Sequence, residues 1–85
     1  MRRRARTDKN HALIVEALRA RGYLVQSLAE VGSGCPDLLC QLPDGSLELI
    51  EIKDGKGKLT PDQERFSELG WDFAIVRTVE DVMNL

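Results

Sequence analysis

The sequence contains few of the side chains that metal-binding and redox proteins commonly use. It has one histidine, and its two cysteines, Cys35 and Cys40, stand five positions apart with no histidine near them. This spacing matches no common zinc pattern, and a chain without a secretion signal normally keeps its thiols reduced. We therefore interpret both cysteines as small buried side chains, not as a redox pair or as metal ligands.

Long apolar runs are also absent. No stretch approaches the roughly 18–20 apolar residues that cross a membrane, and the basic start of the chain is not followed by a signal-peptide core. We expect a cytoplasmic protein with no membrane partner. The 85 residues predict one domain over 1–85. A domain of this size buries only about 60–65% of its unfolded surface, so pairing with a second copy would add stability.

The chain has no excess of positive charge, because its net charge is −2. The basic residues are nevertheless unevenly placed. A basic N-terminal arm over residues 1–6 and its continuation hold Arg2, Arg3, Arg4, Arg6 and Lys9, and a second cluster holds Lys53, Lys56 and Lys58. Such clusters can hold phosphates on a mildly acidic body. For the arm alone, a solvated tail is an equally good interpretation.

Hydrophobic periodicity and turn signals predict seven elements in the order αβββαβα. The first helix is expected to be capped by Thr7 or Asp8 and to reach about Arg21. Strands are predicted over 23–28, 37–42, 46–53 and 73–77, and helices over 61–69 and from 79 to 82 or 83. The order predicts an α/β fold with a mixed sheet of about four strands, one antiparallel hairpin and one crossover.

The turn between the second and third strands sets a register. Residues 43–45, proline, aspartate and glycine, favour a three-residue hairpin loop. If Leu42 pairs with Ser46, then Asp37 lies directly opposite Glu51. Directly opposed residues share a face, with Cβ atoms about 4.5–5.5 Å apart. Two carboxylates at that distance repel each other unless a cation lies between them.

These residue types suit metal-assisted hydrolysis of a phosphodiester. Mg²⁺ commonly takes one or two carboxylates plus waters, and the backbone carbonyl of Ile52 can supply another oxygen. Lys53 lies on the same strand face as Glu51 and can orient a water or neutralise developing charge. Each residue alone has a plainer interpretation: Asp37 can simply begin a strand, and Glu51 with Lys53 can form a weak surface ion pair.

The wider pattern resembles a known nuclease family. Pro36-Asp37 followed by Glu51-Ile52-Lys53 looks like the PD-(D/E)XK signature, and further residues resemble the VRR-NUC family: Gly34-Cys35-Pro36-Asp37-Leu38, Gly57-Lys58-Leu59-Thr60 and Gln63. The similarity extends from the first helix to Val76-Arg77. It implies a restriction-endonuclease-like core in which the functional groups are Asp37, Glu51, Lys53, Gln63 and the Ile52 carbonyl.

Two of the residues that the resemblance implies have competing local roles. Related nucleases often take a further metal contact from the first helix, which here would be Glu16, although a solvated helix glutamate is the alternative. The resemblance assigns Gln63 to the rim of the active site. The same glutamine also occupies the third position of a capping box that begins at Thr60.

The resemblance implies a Mg²⁺- or Mn²⁺-dependent DNA endonuclease without an organic cofactor, acting in a bacterial or phage-infected cell. The resemblance also implies a homodimer that acts on branched DNA such as four-way (Holliday) junctions, as expected of the small stand-alone members of the family. The candidate DNA contacts are the basic N-terminal residues, Ser33, Lys56 and Lys58. One alternative is a non-catalytic DNA-binding or assembly module that keeps the nuclease fold, and another is a small α/β interaction domain with an incidental motif.

Overall fold

The computed structural model describes residues 10–85. The elements in order are α1 (His11–Ala20), β1 (Leu24–Ser27), β2 (Leu38–Gln41), β3 (Leu47–Ile52), α2 (Pro61–Glu68), β4 (Ala74–Val76) and α3 (Val79–Met83). The strands form one sheet in the order β1-β2-β3-β4, in which only the β3–β4 pair is parallel. The predicted order and the mixed α/β sheet are confirmed. Within the described chain, no helix is long and apolar enough to cross a membrane.

The strand pairing divides the sheet into two faces. One face packs against α1 and α3, and its core consists of Ile14, Leu18, Tyr23, Leu38, Cys40, Ile50, Ile52, Val76 and Val82. The opposite face, here called the site face, consists of Leu24, Gln26, Leu39, Gln41, Leu47, Leu49, Glu51 and Ile75. Because side chains alternate along a strand, the apolar core and the polar site are built from the same strands.

The hairpin turn has the predicted geometry. The N–H of Leu42 donates to the carbonyl of Ser46 at 2.8 Å, and Gly45 takes the left-handed conformation with φ +92°. The register that this turn sets runs unchanged along β2 and β3. Asp37, the residue before β2, is therefore aligned with Glu51 on β3. The predicted register is confirmed.

The first helix begins later than predicted. The expected cap at Thr7 or Asp8 lies outside the described residues, whereas α1 starts at His11 with Asn10 at the N-cap position. The Asn10 side chain makes no capping hydrogen bond. Its Nδ2 donates instead to the carbonyl of Arg77 at 2.6 Å. A contact between distant parts of the chain thus replaces the local cap.

The other two helices begin as predicted, each with a capping box. The Thr60 hydroxyl accepts from the N–H of Gln63 at 3.2 Å, and the Thr78 hydroxyl accepts from the N–H of Asp81 at 3.2 Å. Each cap satisfies backbone donors that the first helical turn leaves free. The capping box of α2 therefore fixes the position of Gln63 in the first turn of the helix.

The glycine-rich loop before β2 packs directly against the first turn of α2. Gly34 has φ +81°, and a Cβ at this position would collide with the backbone carbonyl of Asp62. Only glycine permits both this conformation and this approach. Gly34 therefore sets the separation between the loop that leads to Asp37 and the helix that carries Gln63.

We expect Gly34→Ala to destabilise the protein by about 2–5 kcal/mol, because a left-handed backbone costs an L-residue about 1–2 kcal/mol and overpacking adds about 1–3. Gly32→Ala is the matched control, since Gly32 has φ +74° but no heavy atom within 4 Å of the point where a Cβ would lie. It should lose only about 1–2 kcal/mol. Denaturant unfolding measures both changes, and equal losses would contradict the close packing against α2.

Candidate active site

Two carboxylates meet at one end of the site face. The Asp37 Oδ2 accepts a hydrogen bond from the backbone N–H of Ile52 at 2.8 Å, and the Asp37 carbonyl accepts from the N–H of Leu28 at 2.7 Å. Asp37 is half-buried, and Glu51 is only 3% exposed. Both acids are thus held by strand backbone, and neither depends on a flexible loop for its position.

The two oxygens of Glu51 have different surroundings. Its Oε2 accepts a hydrogen bond from Gln63 Nε2 at 2.7 Å and lies 3.4 Å from Lys53 Nζ. Its Oε1 is buried and has no hydrogen-bond partner among residues 10–85. Buried carboxylate oxygens are normally paired, because leaving one without a partner is costly. Glu51 therefore has one oxygen free for a further cation or donor.

Burial raises the pKa of the Glu51 carboxyl above its ordinary value, and the negative charge of Asp37 raises it further. The Lys53 ammonium and the Gln63 hydrogen bond act in the opposite direction but do not cancel the shift. Burial, followed by the two acids, also raises the pKa of the Cys35 thiol from 9.0. Cys35 therefore stays a neutral thiol at pH near 7.

Gln63 completes the capping box and also contacts Glu51. Its Oε1 accepts from the backbone N–H of Thr60 at 2.9 Å and completes the capping box, while its Nε2 donates to Glu51. A backbone N–H requires the amide oxygen and a carboxylate requires the amide nitrogen, so the orientation of the amide is fixed. The start of α2 is thereby tied to the acidic pair.

Lys53 is held through its backbone at the end of β3. Its N–H donates to the carbonyl of Val76 at 3.1 Å, and Asn10 Nδ2 lies 3.4 Å from the Lys53 carbonyl. The Lys53 side chain is only 14% exposed. Asn10 is not among the residues predicted from the sequence, because an asparagine just before a helix resembles an ordinary N-cap. Its position between the ends of β3 and β4 is visible only in the fold.

The residues present fit a hydrated divalent ion. Residues 10–85 contain no group of three or more His, Cys, Asp or Glu side chains placed to hold a metal. The groups that would hold such an ion are Asp37, Glu51 and the Ile52 carbonyl, since Mg²⁺ is commonly bound by one or two carboxylates with waters. The unpartnered Glu51 Oε1 and the facing acid support this fit.

The remaining predicted residues lie apart from this cluster. Glu16 is exposed on α1, which packs on the opposite face of the sheet, and the structure does not group it with the acidic pair. Ser33, Lys56 and Lys58 are exposed. Outside the described residues lie Arg2, Arg3, Arg4, Arg6 and Lys9. The roles of all these residues stay predictions.

A neutral replacement of Glu51 tests the electrostatics of the metal-free site. The raised pKa means that the folded state binds a proton at Glu51 more tightly than the unfolded state, so stability falls as the pH rises through this pKa. We expect Glu51→Gln, in chelator at pH near 7, to melt at a higher temperature than the wild type. The difference should shrink towards pH about 4, where an ordinary glutamate becomes protonated. A less stable variant across this range would contradict the assignment.

The geometry can be compared with known proteins. No family model and no curated protein matches the chain. A solved structure described as a VRR_NUC domain is 36% identical to it over 88% of this chain and 87% of that chain, with a TM-score of 0.68. The match covers most of both chains, and it agrees with the restriction-endonuclease-like arrangement of the sheet and helices. This chain belongs to the VRR-NUC family of nuclease domains.

Proposed function

We propose that the protein is a Mg²⁺- or Mn²⁺-dependent endonuclease that hydrolyses DNA phosphodiesters. The observation that carries the proposal is the buried Glu51 carboxylate, which faces Asp37, contacts Lys53 and keeps one oxygen without a partner. A buried acid beside a second acid is energetically unfavourable, and such perturbed acids are concentrated at functional sites. Asp37, Glu51 and the Ile52 carbonyl are the proposed metal ligands.

In the proposed reaction, a water oxygen bonds to phosphorus, one phosphorus–oxygen ester bond breaks, and the leaving oxygen takes up a proton. When bound, a divalent ion supplies Lewis-acid chemistry that activates water and neutralises phosphate charge. The Lys53 ammonium neutralises negative charge that develops on the phosphate. Gln63 keeps Glu51 in a fixed orientation by donating to its Oε2.

Lys53→Met tests the proposed role of the ammonium while keeping most of the aliphatic stem. We expect kcat for nicking of a labelled four-way junction in Mn²⁺ to fall by about 10²–10³-fold, the usual loss when one charge-stabilising donor is removed. Junction binding in chelator should remain. The control is Arg19→Met, which removes an exposed cation from α1 on the opposite face of the sheet. Unchanged nicking by Lys53→Met would contradict the proposal.

The same assay separates the alternatives. A wild-type protein that binds junctions but never nicks them would be a binding or assembly module. A protein that neither binds DNA nor gains stability from Mn²⁺ would be an interaction domain. Under the proposal, Mn²⁺ at about 100 times its dissociation constant stabilises the wild type by about 2.7 kcal/mol.

The proposed substrate is branched duplex DNA. Lys56 and Lys58 are exposed on the loop that follows β3, and Ser33 is exposed on the glycine loop beside α2. With the basic N-terminal arm, these residues would contact phosphates around the site, which makes binding salt-dependent. Cytoplasmic action in a bacterial or phage-infected cell stays a prediction.

A homodimer is part of the proposal. Three apolar side chains on the site face are exposed: Leu24 and Leu47 are each 66% exposed and Ile75 is 40% exposed. In a small domain, apolar side chains exposed on one surface are typical of an interaction site. Leu24 and Leu47 lie at the opposite end of this face from Glu51. A two-fold contact through these two leucines would therefore leave two active sites open to DNA in one assembly, matching the symmetry of a four-way junction.

Leu47→Glu tests this surface. We expect the wild type to have twice the 9.5 kDa chain mass by light scattering. A charge in the middle of a buried apolar contact should weaken dimerisation by at least about tenfold, equivalent to about 1.4 kcal/mol. Leu13→Glu is the matched control, because Leu13 is 57% exposed on α1. A monomeric wild type, or equal loss in both variants, would contradict a dimer through the site face.

A further inference from the structure

The loop between β3 and α2 has little side-chain packing of its own. It directly follows Lys53 and contains Gly55 and Gly57, together with the exposed Lys56 and Lys58. Its internal hydrogen bond runs from the N–H of Gly57 to the carbonyl of Asp54 at 2.9 Å. Two glycines in five residues would leave an untethered loop with many conformations. Some external contact must order it.

Arg77 makes that contact. Its Nη1 donates to the carbonyl of Gly55 at 2.9 Å and to the carbonyl of Gly57 at 2.8 Å. The two acceptors flank Lys56, so a single guanidinium nitrogen ties both sides of the loop lysine. Arg77 is the only basic residue after Arg65 in the sequence, and together with Val76 it belongs to the part of the chain that resembles the VRR-NUC family.

The backbone of Arg77 is itself fixed. Its N–H donates to Asp81 Oδ2 at 2.8 Å, and its carbonyl accepts from Asn10 Nδ2 at 2.6 Å. The preceding residue, Val76, accepts from the N–H of Lys53. Arg77 therefore links α1, α3 and the end of β3 to the loop that follows the catalytic lysine.

We propose that Arg77 is a positioning residue that holds the loop of residues 54–58 so that Lys56 and Lys58 contact the phosphates flanking the scissile bond. This inference rests on the proposed nuclease function. A loop ordered before binding does not lose its conformational entropy when DNA arrives, so the same phosphate contacts give higher affinity. Arg77 acts through the loop and does not itself contact the substrate.

Trypsin tests the loop contact without DNA, because it cleaves after Lys56 and Lys58. Because Arg77→Met removes both hydrogen bonds to the loop, we expect it to speed cleavage at these two sites by about tenfold. Mass spectrometry identifies the cut sites, and Arg19→Met is the control. Equal rates in the wild type and Arg77→Met would overturn the proposal. If Arg77→Met does not fold, Arg77→Gln, with a shorter neutral side chain, replaces it.

Junction binding in chelator tests the role of the ordered loop. We expect Arg77→Met to weaken binding by about fivefold to tenfold and to raise KM with little change in kcat. The double variant Lys56→Ala/Lys58→Ala should weaken junction binding more than Arg77→Met does. Adding Arg77→Met to the double variant should have no additional effect, because Arg77 contributes to binding through the two lysines.

Two results would overturn the role in binding. An additional loss in the triple variant would show that Arg77 contacts DNA directly or acts through overall stability, and wild-type affinity in Arg77→Met would show that loop order is irrelevant. A wild type that never binds DNA would remove the nuclease proposal and this role together. The trypsin result would still decide whether Arg77 orders the loop.

Discussion

The site depends on the pairing of Asp37 and Glu51 across the β2–β3 hairpin. A three-residue turn sets the register, and the register places two acids opposite each other, one of them buried. Repulsion and desolvation make this arrangement unfavourable, and Lys53 and Gln63 offset only part of that cost. The protein thus keeps an under-neutralised carboxylate inside its sheet, as functional sites often do.

The rest of the fold keeps the acidic pair in place. The core on the opposite face of the sheet supplies most of the packing, so the end of the site face at Glu51 can hold polar groups. Gly34 brings the glycine loop onto α2, and α2 delivers Gln63 to Glu51. Asn10 contacts the Lys53 carbonyl, and Arg77 holds the loop that follows Lys53. Contacts from several elements thus fix the positions of the side chains in the candidate site.

Features set by neighbouring residues were predictable from the sequence. The turn at residues 43–45 determines the strand register, and threonines at 60 and 78 determine where two helices begin. Features set by distant residues were not predictable. Asn10 and Arg77 are 67 positions apart, and the contact of Gly34 with α2 requires the folded loop. The start of α1 at His11 also differs from the prediction, and its N-cap residue, Asn10, makes a tertiary contact where a local cap was expected.

The central claim is that Asp37 and Glu51 together hold a divalent ion. The most direct test is to measure Mn²⁺ binding by titration calorimetry, without DNA, for the wild type, Asp37→Asn and Glu51→Gln. The account predicts that the wild type binds Mn²⁺ and that either neutral replacement weakens binding by at least about tenfold, equivalent to about 1.4 kcal/mol. A wild type that does not bind Mn²⁺, or variants that bind it equally well, would contradict the account.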